Sequence, residues 1–279
     1  MEVVDSKDVG LAIGQILGAE LFGFEDLHYG LWTDSLAPTL RNFAEAQERY
    51  SLFLLNRIPP GVKTILDVGA GSGKQAERLI ARGYNVDCVS PSLYLSAKIQ
   101  ERLGEKVTLY PSTIESCEPD RKYDLVLFSE SFQYVNMELA LKKAISVLNP
   151  GGHILISDFF KKTAGPEGPL GGGHFIGEFR GLLERLPMTL VSDQDITTET
   201  APTMGMFGQL LDTTARPVKD IICRFIESRH PSLYKFLAWK FRIRFAKLDS
   251  KYFQGTLTAE SFSQYKTYRL LLLQKRLSH

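Results

Sequence analysis

The segment whose residue types and spacing point most directly to chemistry is Leu66-Asp67-Val68-Gly69-Ala70-Gly71-Ser72-Gly73. A short apolar run with an acid inside it gives way to alternating glycines and then to an amphipathic stretch. Glycines at such a junction let the backbone pass close to a ligand, and a helix start presents free N–H groups. Three readings compete. A phosphate-cradling loop needs glycine five positions before the Gly73-Lys74 pair and Ser or Thr after it, but Val68 and Gln75 stand there, which excludes it. A dinucleotide loop wants G-x-G-x-x-G, whereas this is G-x-G-x-G. The observed spacing suits a nucleoside carrying a zwitterionic amino-acid tail. The remaining alternative, a ligand-free tight turn, is disfavoured because glycines in such a turn cost conformational entropy.

A second group of reactive residues lies in Ser129-Glu130-Ser131-Phe132-Gln133-Tyr134, after the predicted strand from Tyr123 to Phe128. In open α/β sheets the carboxyl edge of the strands faces the ligand crevice. Glu130 is therefore the candidate general base or cation-holding acid, with Gln133 and Tyr134 as substrate contacts. Asp158, at the end of the next strand, is a further acid on the same ground. Among the histidines, His28 and His174 are candidate catalytic groups, His174 because it follows Gly171-Gly172-Gly173 and could swing over a site. Packing or capping roles stay open for all of these, and His153 reads as structural. The five histidines and three cysteines (Cys88, Cys117, Cys223) are scattered. No metal site is expected, and the cysteines fit a reduced, cytoplasmic protein.

These residues need a frame. Strands are predicted over 64–68, 85–89, 107–110, 123–128, 153–159, 188–191 and 265–274, with helices over 38–56, 75–82, 93–103, 137–148 and 175–186. Strands alternating with helices at this spacing argue for a doubly wound, mostly parallel sheet. Lys161 to Gly173 reads as a long Gly/Pro-rich substrate loop.

The glycine segment resembles motif I of the class I S-adenosylmethionine-dependent methyltransferases. Tyr123-Asp124-Leu125-Val126 resembles that family's fourth strand, and Leu148-Asn149-Pro150-Gly151-Gly152 the approach to its fifth. The upstream Leu27-His28-Tyr29-Gly30-Leu31-Trp32 is similar to the leading segment of small-molecule and lipid-modifying members, including tocopherol and sterol methyltransferases and cyclopropane-fatty-acid synthases. The resemblance implies a Rossmann-like seven-stranded sheet with an antiparallel last strand, and S-adenosyl-L-methionine as cofactor. By the same resemblance Asp67, Gly69, Ala70, Gly71 and Gly73 line the cofactor, with Tyr29, Trp32, Ser129, Ile114 and Glu115 around it. Two positions depart from the pattern. Ser90, followed by Pro91, stands where an acid usually holds the ribose, and Thr113 stands where an aspartate usually faces adenine. A hydroxyl can still hydrogen-bond there, but less strongly than a charged acceptor. The implied organisation is an N-terminal helical segment (1–60), a cofactor-binding α/β core (61–200), a basic helical insertion (201–262) and a closing strand (263–279).

Length and composition agree with this frame. The chain has 279 residues, 44% hydrophobic and 11% aromatic, enough to bury a core and unlike a disordered polymer. No apolar run is long enough to span a bilayer, and the acidic Met1–Asp5 does not read as a secretory signal. The net charge of +1 conceals an asymmetry: residues 216–251 hold ten Lys/Arg and three acids, a local +7, against −6 elsewhere. Such a field points to an anionic neighbour, lipid or ligand rather than nucleic acid, since no base-flipping or RNA-binding motif accompanies it. Within 233–248 a helical wheel predicts one apolar stripe (Leu233, Tyr234, Leu237, Phe241, Phe245, Leu248) to dock on the sheet. A second stripe (Phe236, Trp239, Ile243) then wants another apolar partner: a greasy substrate touched by Trp239, a second subunit, or a membrane surface. The expected activity is methyl transfer to a small or lipid-like acceptor, with a cyclopropane-synthase-like enzyme or a non-catalytic module of the same fold as alternatives.

Overall fold

The computed structural model describes residues 6–162, 171–252 and 255–277. Its centre is a seven-stranded sheet: β1 (Thr64–Val68), β2 (Asn85–Val89), β3 (Leu109–Tyr110), β4 (Tyr123–Ser129), β5 (Leu148–Lys161), β6 (Met188–Asp195) and β7 (Lys266–Lys275), in the order β3-β2-β1-β4-β5-β7-β6. The strands from β3 to β5 pair in parallel, whereas β7 runs antiparallel between β5 and β6. Alternate residues of the central strands feed two cores, as the two-residue period of a strand requires. Leu66, Val68, Val126, Phe128, Ile154 and Ile156 face one, and Ile65, Leu125, Leu127 and Leu155 face the other. Apolar residues are needed on both faces because helices cover both.

Those helices are α1 (Ser6–Leu17), α2 (Phe43–Leu55), α3 (Lys74–Ala81), α4 (Leu93–Leu103), α5 (Met137–Val147) and α6 (Ile176–Glu184). Ser92 and Asn136 start α4 and α5 by accepting the Leu95 and Leu139 amides on their side chains, the usual way a helix satisfies a free first-turn donor. Between β6 and β7 come α7 (Thr197–Thr200), α8 (Pro202–Leu210), α9 (Arg216–Arg229), α10 (Pro231–Lys240), α11 (Arg242–Tyr252) and α12 (Ala259–Tyr265).

Three sequence expectations are corrected. The strand predicted from 153 starts at Leu148, which pairs with Tyr123 across a register shift. The strand predicted to end at Val191 continues to Asp195, because β7 supplies a hydrogen-bonding partner that its polar sequence does not advertise. The single wheel drawn over 233–248 is broken at Phe241 (φ −105°, ψ 11°), so its stripes belong to two helices, α10 and α11. The first stripe is covered only in part: Tyr234, Leu237 and Phe241 are half-buried, whereas Leu233 and Phe245 are exposed. The side chain of Leu248 and residues 163–170 of the predicted loop lie outside what the structure describes.

Candidate active site

The crevice forms where the strand order reverses, between β1 and β4, the position at which open α/β sheets bind ligands. On one side is the glycine loop. Gly69, Gly71 and Gly73 have φ of +74°, +55° and +80°, a region that side-chain-bearing residues rarely occupy. Gly69 is further required by packing, because a Cβ there would sit 2.4 Å from Ser131 Cβ. Gly71 is different: the nearest atom to its would-be Cβ is Leu27 Cδ1 at 3.8 Å. Gly73 is the N-cap of α3.

The opposite wall is the turn after β4. Glu130 is the only non-glycine residue with positive φ (+53°) among the described residues, and held strain of this kind concentrates at functional sites. The turn brings Ser131 back so that its Oγ donates to the Val68 carbonyl at 2.5 Å. The two loops are thereby interlocked. The carboxylate of Glu130 accepts the Tyr29 amide at 2.6 Å and the Tyr268 hydroxyl at 2.7 Å. Tyr268 lies 2.8 Å from the Tyr50 hydroxyl, which donates to Ser157 at 2.7 Å. Although Glu130 keeps some contact with solvent, its carboxyl lies among these rings, and burial pushes its pKa up to about 7. Asp158 is also raised, by burial first and then by the nearby Glu130 charge. It accepts the Gln133 and Phe159 amides at 2.9 and 2.8 Å and so fixes the 132–134 turn.

Segment 25–32 lies over the glycine loop, held by charge. Arg78 makes two 2.7 Å bonds to Asp26, and Arg102 and Lys74 pair with Glu25 at 2.9 and 3.1 Å. Ser72 Oγ donates to the Glu25 carbonyl. Burial opposes ionisation of Asp26, but His28 and Arg78 hold its carboxyl well below the usual range.

Asp67 and Gln75 carry a polar requirement that the fold does not meet. Asp67 Oδ2 and both polar side-chain atoms of Gln75 are buried without a hydrogen-bond partner among the described residues. Burial alone pushes Asp67 up to about 7. A cationic group beside it would remove that penalty. The α-ammonium of an amino-acid tail is such a group, so these residues fit the cofactor suggested by the motif.

Beyond Tyr29 lies an apolar chamber of about 360 Å³ lined by Tyr29, Phe159, Met204, Phe207, Leu257 and Phe262, among others. Lys266, 1% exposed, lies at its edge; its Nζ donates to the Gly171 and Gly172 carbonyls and sits 5.2 Å from the Phe159 ring centroid.

The expected site residues are therefore distributed unevenly. Asp67, Gly69, Ala70, Gly71 and Gly73 share the carboxyl edge of the sheet with Ser129 and Glu130, and with Ser90, which is buried at the end of β2. Pro91 follows at the exposed rim. Gln133 Oε1 approaches Gly172 near the chamber, whereas Tyr134 is half exposed. Ile114 is core, Thr113 is exposed and bonded to Ser116, and Glu115 accepts the Asn136 amide. His28 is buried with Nδ1 2.8 Å from the Tyr29 carbonyl and Nε2 3.0 Å from Ser51 Oγ and 3.4 Å from Asp26. Burial lowers its pKa, but Asp26 outweighs this and the net displacement is upward. Both ring nitrogens are thus engaged by neighbouring groups of the fold. His174 bonds the Phe132 carbonyl at 2.9 Å and packs edge-on against the Phe132 ring, an anchored placement unlike a swinging one. Trp32 is 4% exposed in a separate core with Phe43 and Met206, its Nε1 donating to Thr203. Trp239 stands exposed on α10, outside the chamber lining. Sequence reasoning missed Tyr50, Tyr268, Lys266 and Phe262. A lysine opening the apolar run of β7 was the one available signal.

Residues 66–156 match the profile of a family described as a methyltransferase domain. The chain is 32% identical over 107 residues to malonyl-[acyl-carrier protein] O-methyltransferase 2 of Ilyobacter polytropus, covering 37% of this chain and 41% of that protein. It is 33% identical over 97 residues to a ubiquinone biosynthesis O-methyltransferase of Rickettsia felis, covering 33% and 40%. These matches span about two fifths of the relatives' own length. Geranyl diphosphate C-methyltransferase of Streptomyces coelicolor A3(2), solved with Mg2+, geranyl-S-thiolodiphosphate and S-adenosyl-L-homocysteine, superposes with a TM-score of 0.68 at 13% identity, covering 99% of this chain and 100% of that one. The [4+2]-cyclase SpnF does so with 0.65 at 19% identity, covering 100% and 99%. The fold is shared with both.

Proposed function

We propose, from the premise that the α/β core of this chain is a class I methyltransferase domain, that the protein transfers a methyl group from S-adenosylmethionine to a small acceptor with an apolar body. The observation that carries the acceptor class is the chamber behind Tyr29. One residue joins chamber and acid, since the Tyr29 ring lines the cavity while its amide bonds Glu130.

The cofactor supplies an electrophilic methyl group on a sulfonium. Asp67, with the Gly69–Gly73 backbone, is placed to hold its amino-acid tail, and Ser90 its ribose. Glu130, poised near neutrality, takes the proton that the acceptor loses, within the range where a base is both ionised and effective. Before that transfer the Tyr268 hydroxyl and the Tyr29 amide both donate to the carboxylate, favouring the ionised form that accepts the proton and aiming it. The aromatic walls exclude water, and Lys266 presents an ammonium to any anionic end of the acceptor.

Calorimetric titration of the full chain with S-adenosylmethionine, set beside NAD, tests the cofactor: the first is expected to bind and the second not. Release of S-adenosylhomocysteine on incubation with apolar acceptors bearing a hydroxyl, carboxylate or activated carbon then tests the reaction. Glu130→Gln is expected to keep cofactor binding and to lose turnover by about 100-fold or more. An absence of S-adenosylmethionine binding in the wild type would overturn the proposal.

A further inference from the structure

The insertion between β6 and β7 presents a surface that the α/β core does not use. On α9, Val218, Ile221, Ile222 and Phe225 recur at helical spacing and are 51–67% exposed. On α10, Leu233, Phe236 and Trp239 are 49–67% exposed, and Phe236 and Trp239 pack against each other with ring centroids 6.3 Å apart. Ile243 on α11 is 75% exposed. No residue of α9 or α10 is buried. So many large apolar side chains exposed on three successive helices mark a contact surface.

The charge around the stripe identifies its partner. Residues 216–251 carry a local +7, and Arg224, Arg229, Lys235, Lys240, Arg242 and Arg244 are all exposed. A second copy docking face to face would juxtapose two such fields, which like-charge repulsion opposes. Five of these eight exposed apolar residues (Val218, Ile221, Ile222, Leu233 and Ile243) are aliphatic, a proportion that suits acyl chains better than stacked nucleic-acid bases, although Phe225, Phe236 and Trp239 carry rings. A mostly aliphatic surface with two phenylalanines and one tryptophan, flanked by lysines and arginines, is the composition of helices that lie in the headgroup layer of a bilayer.

We propose that α9–α11 seat this protein on an anionic lipid surface. The placement gives the surface a purpose. Leu210 and Leu211, just before α9, and Tyr252, at the end of α11, line the apolar chamber. The helices that meet the bilayer therefore border the cavity, and an amphiphilic acceptor can pass from one to the other without crossing water. That last step rests on the acceptor class proposed above; the docking itself does not.

The two tryptophans make the test direct, because Trp32 is 4% exposed and Trp239 67%. With the full chain, vesicles of phosphatidylcholine mixed with phosphatidylglycerol are expected to sediment the protein and shift its tryptophan emission to the blue. Vesicles of phosphatidylcholine alone are expected to do neither, and high salt should weaken the binding. The combined Ile221→Asp, Trp239→Asp, Ile243→Asp variant should lose vesicle binding by about tenfold or more, and Arg224→Glu with Arg229→Glu should lose the preference for anionic lipid. All these side chains are exposed, so both variants should keep the wild-type melting transition and S-adenosylmethionine titration. Binding by the wild type to neither vesicle, or equally to both, overturns the proposal. So does a wild-type dimer that the apolar substitutions dissociate, or tighter binding to an oligonucleotide than to anionic vesicles. Vesicle binding is read without turnover, so its failure is distinct from failure of the methyl-transfer reading.

Discussion

Replacing Asp67 with asparagine separates the demands of a ligand site from those of the fold. Asp67 sits inside β1 with Oδ2 buried and unpartnered, and burial moves its pKa from an ordinary 3.8 to about 7. The folded state therefore holds this proton more tightly than the unfolded state does. Unfolding releases it between about pH 4 and pH 7, so stability contributed by this group falls as pH rises through that window and is lowest above it. A displacement of about three pH units, at about 1.4 kcal/mol each, bounds the penalty at about 4 kcal/mol. Asparagine cannot ionise, although its own amide needs partners, which returns about 1–3 kcal/mol independently of pH. The measurable quantity is thus the gap between the variant and the wild type as a function of pH. Urea unfolding of both proteins from pH 4 to pH 8 should show the gap moving in favour of the variant by about 2–4 kcal/mol. Saturating S-adenosylhomocysteine should shrink it, because the ligand's ammonium supplies the carboxylate with its missing partner. A gap that stays constant across the pH range would refute the reasoning.

Three further outcomes follow from the site's geometry. Gly69→Ala should lower stability by about 2–3 kcal/mol, since it adds a backbone-strained Cβ that collides with Ser131, whereas Gly71→Ala should cost about 1 kcal/mol and abolish cofactor binding; equal melting temperatures for the two would contradict the packing argument. Ser90→Ala should weaken S-adenosylmethionine binding by about 1 kcal/mol, the worth of one neutral hydrogen bond, as read by calorimetry, and unchanged affinity would remove Ser90 from the site. Tyr268→Phe takes away a hydrogen bond that favours ionised Glu130, so the rise of activity with pH should move about one pH unit to the alkaline side; a profile that stays in place would exclude Glu130 as the base.

The order of strands and helices in the core was legible because its periodicities are strong. Ile65 through Val68, Val86 through Val89 and Leu125 through Phe128 are buried on both faces and read as apolar runs, the first two interrupted only by Asp67 and Asp87, and glycines after β1 announce a loop with positive φ. The glycine loop and Glu130 could thus be placed on one sheet edge from the strand positions, and Ser90 through the family resemblance. What lies across that edge was decided by tertiary structure. Glu130 meets Tyr29 from a segment about 100 residues earlier and Tyr268 from one about 140 residues later, and no local pattern records such pairings. The same holds for His28 and Trp32. Their neighbours in sequence suggested a ligand, but Asp26, Ser51 and Thr203 claim their polar atoms for the fold, because a buried donor takes whatever partner the packing brings within reach. The stripes of 233–248 show the opposite limit: their apolar character was plain in the sequence, but only the break at Phe241 and the packing around α10 and α11 decided that Tyr234, Leu237 and Phe241 are half-buried while Phe236, Trp239 and Ile243 are exposed. Local sequence determines which residues can share a helix or a strand face, whereas contacts between distant segments determine what that face meets.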